Sequence, residues 1–457
     1  MTMVDDLAEF VVEASWTTIS EESKNALKIR VLDSLGCALG AINASPVNEV
    51  KSLISEFGGK PLCSLIGGGR TSPERAALYN GALVRYLDFN DAYLAKGESC
   101  HPSDNLSSVL AAVEYAGGNG KDLLTSLAVA YQVQCRLSEV APVRSHGFDH
   151  TTQGAYAVAS GVSRALNLKK EKTMNAIAIS GTAFNSLRVT RTGEISNWKG
   201  LAYPNTAWGA TNATFLAMHG ITGPREVFEG NKGFMDAIAG KFSIDWRKEN
   251  LEKVKETFLK KYNAEVHAQS ALEASLELRE ENELDYHKVQ NINVKIFDVA
   301  YNIIGGGEEG NKHRVRTKEE ADHSLPYLIA VALIDGEVYP TQFNEKRIVS
   351  KDVQNLLRKV TIEPDETYSS LFPQSIACKV IVQLKDGDIL EKEKKDYEGY
   401  RTRPMNWEDA GKKFEHLASS TIDEDAMHEA VSFIKNLESK EVTELFEILG
   451  ELDPLNR

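Results

Sequence analysis

Along the first half of the chain, apolar residues recur three and four positions apart, the period of a helix buried along one face. In residues 18–39, Leu27, Val31, Leu35 and Leu39 fall at four-residue spacing, and the preceding Thr18-Ile19-Ser20-Glu21 reads as a capping box. Patterns of the same period, rich in Ala and Leu, recur at 76–87, 105–115, 121–140, 152–166, 172–183 and 205–218. Between them lie glycines, as in Gly117-Gly118-Asn119-Gly120, or prolines, as at Pro142 and Pro204, which predict breaks.

Beyond residue 286 the period changes to two. Ile292, Val294 and Ile296 alternate with polar neighbours, as do Cys378, Val380, Val382 and Leu384, so both runs predict strands. Lys385-Asp386-Gly387-Asp388 then supplies an Asp-Gly turn into a charged return strand over 389–397. Helical spacing resumes at 407–417, 424–436 and 440–449. The pattern predicts a mainly α protein: a large helical domain over 1–266 and 396–457, interrupted by an α+β insert over 267–395. No internal repeat is present.

Composition narrows the function. The 457 residues, 42% hydrophobic and 26% charged, make an ordinary globular chain with a formal net charge of -14. That charge excludes a nucleic-acid binder, and an anionic substrate would need a locally basic pocket. Cys37, Cys63, Cys100, Cys135 and Cys378 form no C-x-x-C pair, so no disulfide framework, zinc site or iron-sulfur cluster is predicted. Catalysis carried out here would therefore rest on side-chain acid-base chemistry, with no cofactor and no metal. Residues 1–10 carry Asp5, Asp6 and Glu9 rather than a leader pattern, and no apolar run nears the roughly 20 residues that cross a bilayer, so a cytoplasmic chain is expected.

Four stretches hold candidate chemistry. Asp88 and Asp91, three apart, would share one helix face, with Asn90 between them and His101 returning after a loop; Ser103 or Asp104 would cap the next helix. Ser145-His146-Gly147-Phe148-Asp149-His150 places two histidines before a small-residue helix, where imidazole suits proton transfer and the helix N-terminus favours an anion. His150 or Asp149 serving simply as a cap is the alternative there, and the H-x-x-x-H spacing lacks the glutamate and third ligand of a zinc site. Arg188, Arg191 and Lys199, among small hydroxyl and amide donors, are the groups that bind a multiply charged carboxylate. Glu265, His267 and Gln269 fall at the predicted domain junction, while Asp322-His323-Ser324 reads as a cap for the apolar run 325–333. Gly305 to Lys312 departs from a phosphate loop, Gly67-Gly68-Gly69 has no dinucleotide fingerprint, and Cys100 beside His101 has no orienting third group.

The run Leu87-Asp88-Phe89-Asn90-Asp91, with Tyr93-Leu94-Ala95 and His101-Pro102-Ser103-Asp104-Asn105-Leu106, resembles the signature of the MmgE/PrpD family in the form carried by its 2-methylcitrate dehydratases. Ala264-Glu265-Val266-His267-Ala268-Gln269-Ser270-Ala271 is similar to the family's junction motif, and 317–335 resembles its T-x-E-x-A-D-H-S-x-P-Y helix. Ala92 stands where the family motif often has Thr, and Gly97 and Cys100 replace a common aromatic and Gly. The resemblance implies an all-helical domain with an inserted α+β lid, a homodimer and an active site in the cleft between domains. It also implies loss of water from 2-methylcitrate or a related tricarboxylate. By the same resemblance Asp88, His101, His150, Lys199 and His267 are the catalytic residues; Asn90, Asp91, Arg188, Arg191 and Lys199, read from their own chemistry, are the residues expected to meet the substrate. A decarboxylase or epimerase of the same family, or a non-catalytic scaffold with the fold, are the alternatives.

Overall fold

The computed structural model of the protein describes residues 2–450. The fold is mainly α, as the three- and four-residue spacing predicts, and chain contacts divide it into two units. One comprises Met1–Arg188, Gly200–Leu259 and Asn406–Arg457; the other comprises Val189–Lys199 and Lys260–Met405.

In the first unit the long helices follow the periodic runs. Gly120–Val140 packs on Thr151–Ala165, which packs in turn on Lys170–Ala183, and Met3–Glu13 covers the latter. Pro73–Tyr86 lies against Leu106–Ala116. The chain closes on itself because Trp407–Ala418 packs on Glu21–Gly40, where Gly36 lets the Phe414 backbone approach until an added Cβ would sit 3.2 Å from its Cα. A side chain there would have to push the Phe414 backbone away by a few tenths of an ångström, so glycine suits the crossing.

Two local expectations are corrected. The second helix begins at Glu21, one residue after Ser20, whose hydroxyl accepts from the Ser23 amide; Thr18 ends a preceding 3₁₀ turn. Pro204 lies inside the helix Trp198–Met218 rather than ending it. A proline removes one amide donor from a helix and crowds the turn before it, yet this one is buried, and its neighbour Gly81 brings the facing helix close.

The second unit carries a four-stranded sheet in the order Val360–Pro364, Val289–Ile296, Cys378–Leu384, Ile389–Lys394. The first pair is parallel, with Ile292 opposite Val360, and the other two pairs are antiparallel, with Val294 opposite Val380 and Val380 opposite Lys392. The alternating side chains of Cys378–Leu384 are buried on one face, where Gln269–Glu281 packs. The return strand stops at Lys394, short of the 397 that its sequence predicts. Leu325–Asp335 packs on Gln269–Glu281, and Leu325 to Leu333 are buried throughout.

Candidate active site

The helix Pro73–Tyr86 stops before Asp88, whose backbone turns into the left-handed region at φ 57. The expected helical face carrying both Asp88 and Asp91 therefore does not form; the two sit on a buried turn and point to different partners. Arg85 Nη1 donates to Asp88 Oδ1 at 2.5 Å, and Arg85 Nε lies 3.5 Å from Asp104 Oδ2. Asp91 Oδ1 accepts from the Ser103 amide (3.0 Å) and hydroxyl (2.6 Å), and its Oδ2 accepts from Tyr131 (2.8 Å). Asn90 Nδ2 donates to Ser103 Oγ (2.8 Å) and Asp104 Oδ1 (2.7 Å). Ser103 and Asp104, expected as helix caps, thus brace the 88–91 turn instead. Burial pushes the Asp91 carboxyl above its ordinary range, while the Ser103 bonds pull the other way.

His101 follows from this turn. Its Nδ1 lies 2.7 Å from the Asp91 carbonyl oxygen. A carbonyl can only accept, so Nδ1 carries the hydrogen and the neutral ring keeps its lone pair on Nε2. That Nε2 is 3.9 Å from Asp88 Oδ1. The His150 ring stands edge-on to His101, centroids 5.5 Å apart at 76°, and stacks on Tyr203 at 6.3 Å. His150 Nδ1 is 3.3 Å from Asp149 Oδ1, whose other oxygen is 3.6 Å from Arg188 Nη1. His101, His150 and Tyr203 are all buried, whereas His146 is exposed and turned toward the Ile238 carbonyl. Asp149 also accepts from the Thr151 amide at 3.3 Å, so it serves both as a local cap and as the partner of His150. The single Tyr203 hydroxyl hydrogen is shared between Asn105 Oδ1 (3.0 Å) and Gln134 Oε1 (3.2 Å), and burial together with Asp104 raises its phenol well above its usual range.

The helical unit holds two more groups that the sequence reading did not single out. Arg85 is one. Glu98, buried beside the hairpin Tyr93–Leu94 and Ser99–Cys100, accepts from the Val143 (3.1 Å) and Arg144 (3.0 Å) amides, and so ties the segment before His101 to the segment before His150. Glu98 forms no motif because it acts on main chain brought near only by folding, whereas the three-residue spacing of Arg85 from Asp88 was a local signal available in the sequence.

The second unit has its own buried charge cluster. Lys199, in the first turn of its helix, places Nζ 2.6 Å from Asp322 Oδ1, and Lys318 Nζ is 2.8 Å from Oδ2. His323 Nδ1 lies 2.8 Å from Asp322 Oδ1. Burial works to raise the Asp322 carboxyl, but Lys199 and Lys318 hold it far below the ordinary range. Asp322 and His323 have donor types that metal ions use, though here the carboxylate is committed to two ammonium groups. Ser324 alone caps the next helix, accepting from the Tyr327 amide at 3.1 Å. The sequence signal for this cluster was two ionisable residues placed directly before a helix apolar on every side.

His267 belongs to the same unit. Glu265 accepts from its amide and from its Nδ1, both at 2.7 Å. Burial pushes Glu265 up, yet His267, His323 and Lys260 lower it to about 2. The His267 ring packs against the stacked pair Phe297 and Phe372, centroids 5.7 and 5.8 Å away, and its buried Nε2 has no hydrogen-bond partner among the described residues. Arg191 is buried on the 3₁₀ turn Arg188–Arg191. The structure therefore gathers Asp88, Asn90, Asp91, His101, His150 and Arg188 in the helical unit, and Lys199 and His267 with Asp322 and His323 in the other.

Comparison with known proteins agrees with the motif resemblance. The MmgE/PrpD N-terminal domain matches residues 5–247 and the MmgE/PrpD C-terminal domain matches 262–439. An alkylcitrate dehydratase of a fungal species is 30% identical over 432 residues, covering 85% of this chain and 82% of its own. A probable 2-methylcitrate dehydratase of Saccharomyces cerevisiae is 27% identical, covering 85% and 80%. The cis-aconitate decarboxylase of Homo sapiens is 27% identical, covering 91% and 87%. With both domain models matched in order along most of its length, the chain belongs to the MmgE/PrpD family.

Proposed function

We propose that the protein is a dehydratase that removes water from 2-methylcitrate or a related tricarboxylate, leaving an aconitate-type double bond, by side-chain acid-base chemistry alone. The observation that carries this reading is His101: a buried imidazole whose Nδ1 is committed to the Asp91 carbonyl, which leaves Nε2, 3.9 Å from Asp88 Oδ1, as the nitrogen that exchanges a proton. A fixed tautomer is what a general base needs. In this reading His101 Nε2 takes the carbon-bound proton next to a carboxylate, and Asp88 stabilises the imidazolium that results. The C–O bond breaks as the double bond forms, and His150 protonates the departing hydroxyl to give water.

Such a carbon acid is weak, so the enolate-like charge must be met by cations. Lys199, Arg188 and Arg191 fill that role and hold the substrate carboxylates. His267, oriented by Glu265, is a further proton carrier. Asp91, whose carboxylate accepts from Ser103 and Tyr131, braces the turn that carries His101, while Asn90, whose buried Oδ1 has no hydrogen-bond partner among the described residues, and Asp91 are read as lining the substrate site. The names of the dehydratase relatives support the tricarboxylate substrate. The protein is read further as a cytoplasmic homodimer that works without metal; no described helix is long and apolar enough to cross a membrane.

A decarboxylase is the second reading, favoured by the 91% of this chain aligned to a cis-aconitate decarboxylase. Purified protein incubated separately with 2-methylcitrate, citrate, cis-aconitate and iminodisuccinate separates the two. Unsaturated product from 2-methylcitrate, undiminished by EDTA, is expected. Carbon dioxide from cis-aconitate with no turnover of 2-methylcitrate overturns the dehydratase, and loss of activity with EDTA overturns the metal-free mechanism.

A further inference from the structure

Lys413 takes no part in the chemistry above, yet it reaches the same turn. It lies on the helix Trp407–Ala418, 324 residues along the chain from Phe89. Its ammonium is buried and sits 2.6 Å from Asp33 Oδ1, on the facing helix Glu21–Gly40. The same Nζ donates to the Phe89 carbonyl at 2.7 Å and stands 3.8 Å from the centroid of the Phe89 ring.

Phe89 directly follows Asp88, and Asp88 is the residue held at φ 57. Aspartate tolerates that region better than most side chains but still at some cost relative to the right-handed one, so contacts that fix the neighbouring backbone help to hold it there. The Arg85 guanidinium holds the Asp88 side chain, and Lys413 holds the backbone carbonyl that follows. A buried ion pair by itself gives little reason for its presence, since a well-packed apolar pair of similar volume is often as stable or more so. What an apolar pair cannot supply is a donor for the Phe89 carbonyl and a cation against the ring face.

We infer that Lys413, charge-balanced by Asp33, is a positioning residue that clamps the Asp88–Phe89 turn and so sets the Asp88 carboxylate beside His101 Nε2. The inference rests on the role proposed for Asp88 and His101.

The test compares wild type with the double variant Asp33→Leu/Lys413→Met, which removes both charges together so that neither is left buried alone. The double variant is expected to melt close to wild type, to lose at least about tenfold in kcat on 2-methylcitrate, and to change KM by less than about threefold, because misplacement of a catalytic group is read in kcat. Lys413→Arg, which keeps N–H donors and the charge, is expected to retain more of kcat than the double variant does. A double variant with wild-type kcat, one whose whole loss lies in KM, or one that does not fold overturns the positioning role, the last by assigning the pair to stability. Wild type that turns over no tricarboxylate fails the functional reading itself, which is a distinguishable result.

Discussion

Glu265→Gln separates what the Glu265–His267 pair does for stability from what it does for chemistry. Glu265 offers one carboxylate oxygen to the His267 amide and the other to Nδ1, each at 2.7 Å; a glutamine keeps a single oxygen, so one of those donors loses its acceptor. Burial pushes this carboxyl up, but His267, His323 and Lys260 bring it from 4.5 down to about 2. A carboxyl whose folded pKa is depressed stabilises the fold above its unfolded pKa, and that stability is lost as the pH falls through the folded value. At about 1.4 kcal/mol per pKa unit, the contribution is about 3 kcal/mol at pH 7, falling to about 2 kcal/mol by pH 3.5. Urea unfolding followed by far-UV circular dichroism, for wild type and Glu265→Gln from pH 7 down to pH 3.5, reads the gap directly. The variant should be less stable at pH 7, by up to about 3 kcal/mol, and the gap should narrow as the pH falls. Equal stability at pH 7, or a gap of constant size down to pH 3.5, refutes the reasoning.

Two further outcomes follow from packing and charge. An added Cβ at Gly154 would lie 2.5 Å from the Tyr203 ring, so Gly154→Ala should cost about 1–3 kcal/mol in thermal unfolding and displace the ring that stacks on His150; an unchanged melting temperature contradicts this. Lys199→Met takes from Asp322 one of its two ammonium partners; stability should fall by about 3 kcal/mol and KM for 2-methylcitrate should rise, and an unaltered KM removes Lys199 from substrate binding.

Much of the architecture was legible because it rests on spacing. The Leu27, Val31 and Leu35 stripe is buried in its helix, and the alternation through Cys378, Val380 and Val382 is a strand with those side chains inward. The family motifs likewise named the histidines that the fold brings together, with His101 and His150 edge to face. What spacing missed depends on contacts made only in the folded chain. Asp88 and Asp91 look like a helical pair until Asp88 turns to φ 57, held by Arg85 and followed by a carbonyl bound to Lys413. Asp322 looks like a cap because Ser324 two residues on is one, while the Lys199 ammonium that claims Asp322 is 123 residues away. Pro204 looks like a break because a lone proline usually is one, and only the helix packed around it shows otherwise.

The central claim is that His101 Nε2 takes the carbon-bound proton, and His101→Gln tests it most directly because glutamine fills similar space and has no basic nitrogen. Initial rates of unsaturated product from saturating 2-methylcitrate, measured for wild type and for the folded variant, should show kcat lower by about 10²–10⁴-fold with KM little changed. A folded His101→Gln enzyme turning over within about threefold of wild type would contradict the account.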